Sequence, residues 1–293
     1  MTKKILFIVN PGSGIFNKTN IESGISEFAN NYKFKWELSY TEKYGYQEKL
    51  KQMIQGYKPD IVVAVGGDGT VNQVATELVG TETELAIIPA GSANGLAYNL
   101  NIPTVIEEAM HLFLNADSKP IDAIRINEKS YCFHLSDIGL NARIVKRFEQ
   151  EGSRGLPGYG KQMIKELFSK RTVFSFNLKT PELEKRFRAE MLIIANARSY
   201  GTGAIINPPG RPDDGKFEII IIRPYPWWVL FRLLKMFFFG KLDSLKYIKV
   251  IETTRVTIKL DQPQDLQADG EIIKDARLLN FQIVPSAVKV RCN

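Results

Sequence analysis

Three glycines and one carboxylate fall within five residues, Gly66-Gly67-Asp68-Gly69-Thr70. Glycine lets the backbone take positive φ and lets a ligand approach bare amides. Val71, Val74, Ala75, Leu78 and Val79 follow at helical spacing, so those amides lie at a helix N-terminus, which favours phosphate. Asp68 would repel a phosphate on its own. It fits there if a divalent cation bridges the carboxylate and the phosphate oxygens. One strand later, Pro89-Ala90-Gly91-Ser92-Ala93-Asn94 forms a second Gly/Ser/Asn loop. Two such loops on one sheet edge point to a nucleotide phosphate held from two sides.

Two further constellations carry carboxylates. Asp269-Gly270-Glu271 either marks a hairpin turn, as Asp-Gly often does, or supplies the carboxylate that a kinase needs beside its acceptor hydroxyl. Asp213-Asp214-Gly215 either ligates a cation, with carbonyls supplying the other oxygens, or forms a solvated turn. Other patterns fail. Gly12-Ser13-Gly14-Ile15-Phe16-Asn17-Lys18-Thr19 approaches a phosphate-binding P-loop, but Asn17 stands at the required glycine and would crowd the cradle. His111, His134, Cys132 and Cys292 match no catalytic or metal spacing, and the cysteines read as reduced thiols.

The elements that must position these residues change character near residue 120. Before it, β-branched apolar runs at 5–9, 61–65 and 85–88 and an alternating run at 34–40 are separated by helical patterns near 21–28, 50–57, 94–100 and 105–114. Repeated strand–helix alternation gives a Rossmann-like parallel sheet covered on both faces, with ligands outside the carboxyl ends of its strands. The loops at 10–14, 41, 66–70 and 89–94 should all open on that edge. Beyond residue 120, short β-rich runs (120–126, 131–136, 172–178, 186–195, 217–223, 247–252, 255–260 and 277–284) predict an antiparallel sandwich or barrel. Two helical stretches, 156–169 and 227–239, interrupt them. The expected division is an α/β domain over 1–122 and a β-rich domain over 123–293.

Hydrophobic content of 44% and charged content of 24% are those of a globular protein, and exclude a disordered or collagen-like chain. The N-terminus leaves no room for a signal peptide, and no apolar run is long enough to span a bilayer; a cytoplasmic location is expected. Charge is unevenly spread. Residues 1–122 hold 10 basic against 14 acidic side chains, a balance of −4, so the rest of a chain with net charge +7 stands at +11. The second half could therefore meet an anionic membrane surface, and no nucleic-acid partner is expected. Trp227-Trp228-Val229-Leu230-Phe231-Arg232-Leu233-Leu234-Lys235-Met236-Phe237-Phe238-Phe239 reads either as an interfacial helix or as a core helix.

Taken in order, Asn10-Pro11-x-x-Gly14, Gly66 to Thr70, Pro89 to Asn94, Asp214-Gly215 and Asp269-Gly270-Glu271 resemble the diacylglycerol kinase/sphingosine kinase catalytic family, and within it the small soluble bacterial lipid kinases. The resemblance covers nearly the whole chain. It implies an NAD-kinase-like fold and an ATP-dependent kinase acting on a lipid hydroxyl between two domains, peripherally at the membrane. On that analogy Asn10, Pro11, Gly12, Ser13, Gly14, Thr41, Gly67, Asp68, Gly69, Thr70, Val71, Asn72, Gln73 and Ser92 line the ATP site. Glu271 is the proton acceptor, Asp269 stands beside it near the catalytic Mg²⁺, and Asp68 is the third catalytic carboxylate. Asp214, with main-chain oxygens around Arg211 and Lys216, holds a second, structural Mg²⁺. In the family the last strand can return to the first domain, which here would involve 284–293. Gly95-Leu96-Ala97 is closer to the sphingosine-kinase form than to the diacylglycerol-kinase one. Arg143 and Val145 fall where sphingosine kinases place acidic residues, and an Arg there repels an ammonium headgroup, which favours diacylglycerol. A sphingoid-base kinase, a soluble-substrate kinase of the NAD type, a non-catalytic lipid-binding protein and a homodimer all remain compatible with the sequence.

Overall fold

The computed structural model describes residues 2–13, 18–42, 45–139, 172–199, 205–208, 210–229 and 246–293. Gly14, Asn17, Arg143, Val145, the helix expected at 156–169 and the span 230–239 lie outside these residues. The chain divides into two compact units, Met1–Ile121 with Ser286–Asn293, and Asp122–Pro285.

The first unit is an α/β layer. It runs β1 (Lys4–Val9), α1 (Lys18–Tyr32), β2 (Lys35–Tyr40), α2 (Tyr46–Tyr57), β3 (Ile61–Gly66), α3 (Asp68–Leu78), β4 (Glu84–Pro89), α4 (Gly95–Asn99) and α5 (Ile106–Asn115). The sheet is parallel in the order β4-β3-β1-β2. Every residue of β3 is buried, and so is all of β1 except Lys4, because helices cover both faces. Helix α3 turns Val71, Val74, Ala75 and Leu78 onto the sheet, and α5 turns Ala109, Met110 and Phe113 inward. Phe113 meets Phe7 of β1 edge-on at 6.2 Å.

The second unit is β-rich: β5 (Ser118–Ile126), β6 (Ser130–Cys132), β7 (Leu135–Gly139), β8 (Phe174–Lys179), β9 (Glu184–Ala189), β10 (Met191–Ala195), β11 (Phe217–Ile222), β12 (Ile248–Thr253), β13 (Arg255–Ala268) and β14 (Glu271–Arg291). Its antiparallel path is β12-β11-β10-β7-β13-β14. Two expectations change. The run 186–195 is two strands broken at Glu190, since β9 pairs with β8 while β10 pairs with β7 and β11. The runs 255–260 and 277–284 belong to one long hairpin. Strand β13 serves β8 over Thr257–Leu260 and β7 over Leu266–Ala268. Its register against β14 shifts between those two parts, around Pro263, which has no N–H to offer a ladder. The core of this unit holds Phe176, Phe217, Phe281, Ile258 and Leu266.

The end of β14 belongs to the first unit. Val290 pairs with Leu85 of β4 in parallel register. Arg291 fastens it there, donating from Nε to Glu84 at 2.7 Å and from an NH group to the Phe113 carbonyl at 2.6 Å.

Candidate active site

The loop residues expected to meet phosphate gather at the carboxyl ends of the first unit's strands. The register Val9↔Tyr40, Val9↔Val65 and Gly66↔Pro89 brings the four strand ends level. Backbone bonds continue the sheet into the loops: Asn10 N–H donates to Val65 O (2.9 Å), Thr41 N–H to Val9 O (2.8 Å) and Ala90 N–H to Gly66 O (2.8 Å). Asn10 then closes its own turn, accepting Gly12 N–H at Oδ1 (2.9 Å) and Ser13 Oγ–H at its carbonyl (2.6 Å). Its amide reaches Thr70 Oγ1 at 3.2 Å. Three of the expected loops, 10–13, 66–70 and 89–94, are therefore joined by hydrogen bonds.

The glycines at the centre are required by backbone approach. A methyl group on Gly67 would lie 3.1 Å from Gly91 Cα, and one on Gly91 would collide with Gly67 Cα. On Gly66 it would meet Thr70 Oγ1 at 2.5 Å. At Gly69, by contrast, nothing lies within 4 Å. Asn94, held in the left-handed region at φ 50°, locks the second loop by accepting Gly91 N–H (2.8 Å) and donating to Gly91 O (2.9 Å). Asp68 Oδ1 accepts Leu96 N–H at 3.3 Å, so this carboxylate links the two loops as well as facing the first turn of α3.

The other expected ATP-lining residues divide by exposure. Pro11, Gly12 and Ser92 lie at exposed loop positions, and Asn72 and Gln73 are half-buried on α3. Val71 is only 4% exposed, and its N–H is taken by Gly67 O at 3.1 Å, the first bond of the helix. The helix N–H groups ahead of that bond are those of Asp68, Gly69 and Thr70, and they make this end suited to an anion.

In the second unit, Asp269-Gly270 is the two-residue hairpin between β13 and β14, with φ 47° and 93°. Positive φ at both positions is the type I′ geometry. The hairpin reading of the motif holds, and the turn sets Glu271 exposed at the start of β14. Asp269 has a different environment, 4% exposed. Its Oδ2 accepts Phe133 N–H (2.7 Å), and its Oδ1 accepts His134 N–H (3.1 Å), Leu135 N–H (3.1 Å) and the Cys132 thiol (3.2 Å). Three of these donors converge on Oδ1 and one on Oδ2. The Asp269 side chain thus closes the 132–135 loop from within. Burial, reinforced by the Asp269 charge, pushes the Cys132 thiol well above its ordinary range, so it stays a protonated donor. Gln267 lies beside the same turn, and with its amide oriented to suit its neighbours it donates to Asp137 Oδ2 (2.9 Å) and accepts Gly270 N–H (2.6 Å).

The loop carrying Arg211, Asp214 and Lys216 is organised by Asp122, which sequence patterning does not single out. Asp122 Oδ2 accepts Gly215 N–H at 2.6 Å, and its own N–H donates to Pro212 O at 2.6 Å. Asp213 is engaged by Arg211, Lys216 Nζ by Glu252, and Asp214 Oδ1 by Lys216 N–H. Behind them Asn207 donates to buried Glu218. Burial pushes the Glu218 carboxyl up, the Asn207 bond opposes this, and the charges of Asp214 and Glu252 add to it. Among the described residues no three His, Cys, Asp or Glu side chains converge as a metal site. The carboxylates and turn carbonyls here are hard oxygen donors of the kind Mg²⁺ takes, with backbone oxygens needed to complete a set.

Residues 4–126 match the family model described as the diacylglycerol kinase catalytic domain, and residues 137–292 match the YegS C-terminal NAD kinase beta sandwich-like domain. A Yersinia enterocolitica protein named "Probable lipid kinase YegS-like" is 28% identical over 240 residues, covering 79% of this chain and 78% of that protein. The crystal structure of a diacylglycerol kinase from Bacillus anthracis superposes with TM-score 0.76 at 19% identity, over 99% of this chain and 97% of that one. An NAD kinase from Archaeoglobus fulgidus, solved with ATP, superposes with TM-score 0.56 at 14% identity, over 99% and 94%. The two structures show the shared fold. Both halves of the chain fall under models of a single kinase architecture, and the chain belongs to the diacylglycerol kinase family, among its small YegS-like lipid kinases, as an ATP-dependent enzyme.

Proposed function

We propose that this enzyme transfers the γ-phosphoryl group of ATP to the hydroxyl of a neutral glycerolipid, diacylglycerol foremost, with Mg²⁺ as the counterion. The observation that carries the ATP half is the backbone contact of Gly67 with Gly91 at the N-terminus of α3, beside open space at Gly69. Bare amides of two loops, one of them on a helix end, suit the phosphate chain.

Glu271, exposed on a turn held by Gln267 and Asp269, takes the acceptor hydroxyl's proton. The acceptor oxygen bonds the γ-phosphorus as the bond from that phosphorus to the bridging oxygen breaks, leaving ADP. When bound, Mg²⁺ neutralises charge on the phosphate oxygens. Asp68 would hold the ion at the phosphates, and Asp214 with the main-chain oxygens of Arg211 and Lys216 would hold a structural one. Asp269 acts through position, fixing the turn that carries Glu271.

The test is radiolabelled ATP with detergent-dispersed diacylglycerol, monoacylglycerol and sphingosine, and with NAD in solution. Label in phosphatidic acid is the expected result. Label in sphingosine phosphate or in NADP instead, or in no acceptor, overturns the proposal.

A further inference from the structure

The two most exposed large apolar side chains among the described residues are neighbours, Trp227 at 65% and Trp228 at 57%. Their display is built into the fold. Val229, 4% exposed, is buried in a core with Met191, Ile193, Ile220 and Ile222. Its N–H donates to Pro226 O at 3.0 Å, closing a turn that sends the two indoles outward. They meet edge to face at 6.3 Å. Tyr225 packs against the same core and lies edge-on to Tyr247 at 6.5 Å, just before β12.

The charged side chains of the two segments that carry these rings have one sign. Arg223 N–H donates to Tyr247 O at 2.7 Å, bringing the two segments together. Lys246 lies over the Tyr247 ring at 5.2 Å. Lys249, in register with Ile221, is exposed on the other face of β12 from Ile248 and Val250, which pack with Val229. No acidic residue occurs from Ile219 to Val229 or from Lys246 to Ile251. Indole and phenol rings with one apolar body and one polar tip, with Arg223 and Lys246 in the same segments, match the headgroup level of a bilayer.

We propose that this face, Arg223 to Trp228 with Lys246 and Tyr247, docks the enzyme on an anionic lipid surface. Trp227 and Trp228 enter the headgroup boundary while Arg223 and Lys246 meet the lipid phosphates. The proposal rests on the lipid-kinase assignment for its motive, since a diacyl substrate does not leave the bilayer. Its test therefore reads binding apart from chemistry.

Tryptophan emission and co-sedimentation are measured with phosphatidylglycerol/phosphatidylcholine vesicles and with phosphatidylcholine alone. Kinase activity on a water-soluble short-chain diacylglycerol is assayed in parallel. The expected result is a blue shift and partitioning on the anionic vesicles only. Partitioning should weaken by about tenfold or more in Trp227→Ser/Trp228→Ser. It should weaken by roughly fivefold or more in Lys246→Glu, whose exposed position leaves folding intact. Short-chain activity stays at the parent level throughout. Unchanged partitioning in both variant classes overturns the proposal, as does equal binding to neutral vesicles. Self-association of the parent that the Trp variant abolishes also overturns it, because a second copy would then be the occupant. Loss of short-chain activity in the parent bears on the catalytic assignment alone.

Discussion

Gly91→Ala probes the contact between the two loops proposed to hold the nucleotide. The new methyl would sit 2.9 Å from Asn94 Oδ1 and 3.2 Å from Gly67 N, and nearer still to Gly67 Cα. Ordinary contacts begin at 3.4 Å, so the two loops must part by about 1 Å. The obstacle is backbone, which cannot rotate away as a side chain would. Overpacking of this kind costs about 1–3 kcal/mol. At roughly 2–4 °C per kcal/mol for a chain of this size class, the melting midpoint should fall by about 2–12 °C. Catalysis should suffer more than folding, because a displacement of about 1 Å at a reacting group costs on the order of 100-fold. Calorimetry and steady-state kinetics with ATP varied read the two effects. Gly69→Ala is the comparison. Nothing surrounds its methyl within 4 Å, and the position is helical, so stability should hold or rise by about 0.5–1 kcal/mol. Its KM for ATP should nonetheless rise, because the methyl occupies the space a phosphate would enter. Parent-like melting and kcat in Gly91→Ala, or parent-like ATP kinetics in Gly69→Ala, would refute the idea that these glycines form a phosphate cradle.

Glu271→Gln should melt like the parent while kcat falls by about 10²–10⁴, and parent-like turnover would remove Glu271 as the base. Asp269→Asn should instead lose about 1–3 kcal/mol in denaturant unfolding, since its amide turns a donor toward the N–H groups of 133–135; an unchanged midpoint would contradict that. Glu218 holds its proton more tightly when folded, so the stability it contributes is present below the ordinary carboxylate range and lost as pH rises through its raised value. Glu218→Gln should flatten the fall of Tm across that window and melt above the parent at higher pH, and identical Tm–pH curves would exclude the effect. Asp214→Ala should lower bound Mg²⁺ measured by elemental analysis, together with Tm, and unchanged metal content would argue against a cation in the 211–216 turn.

Much of this protein is written in short-range pattern. Strand–helix alternation with β-branched runs marks the parallel sheet, and glycine spacing after β3 and β4 marks the loops, because propensity and turn chemistry act within a few residues. Asp269-Gly270 announces its I′ turn for the same reason. Tertiary structure decided what those local signals meant. That Gly67 touches Gly91 depends on β3 and β4 lying side by side. That Asp269 faces inward, leaving Glu271 the exposed carboxylate, depends on amides 134 to 136 residues away. Asp122 controls Gly215 across 93 residues, and Glu190 breaks one apolar run into two strands because different neighbours claim each half. Such pairings arise from burial and hydrogen-bond satisfaction summed over the folded chain, and a window of sequence contains only one partner of each.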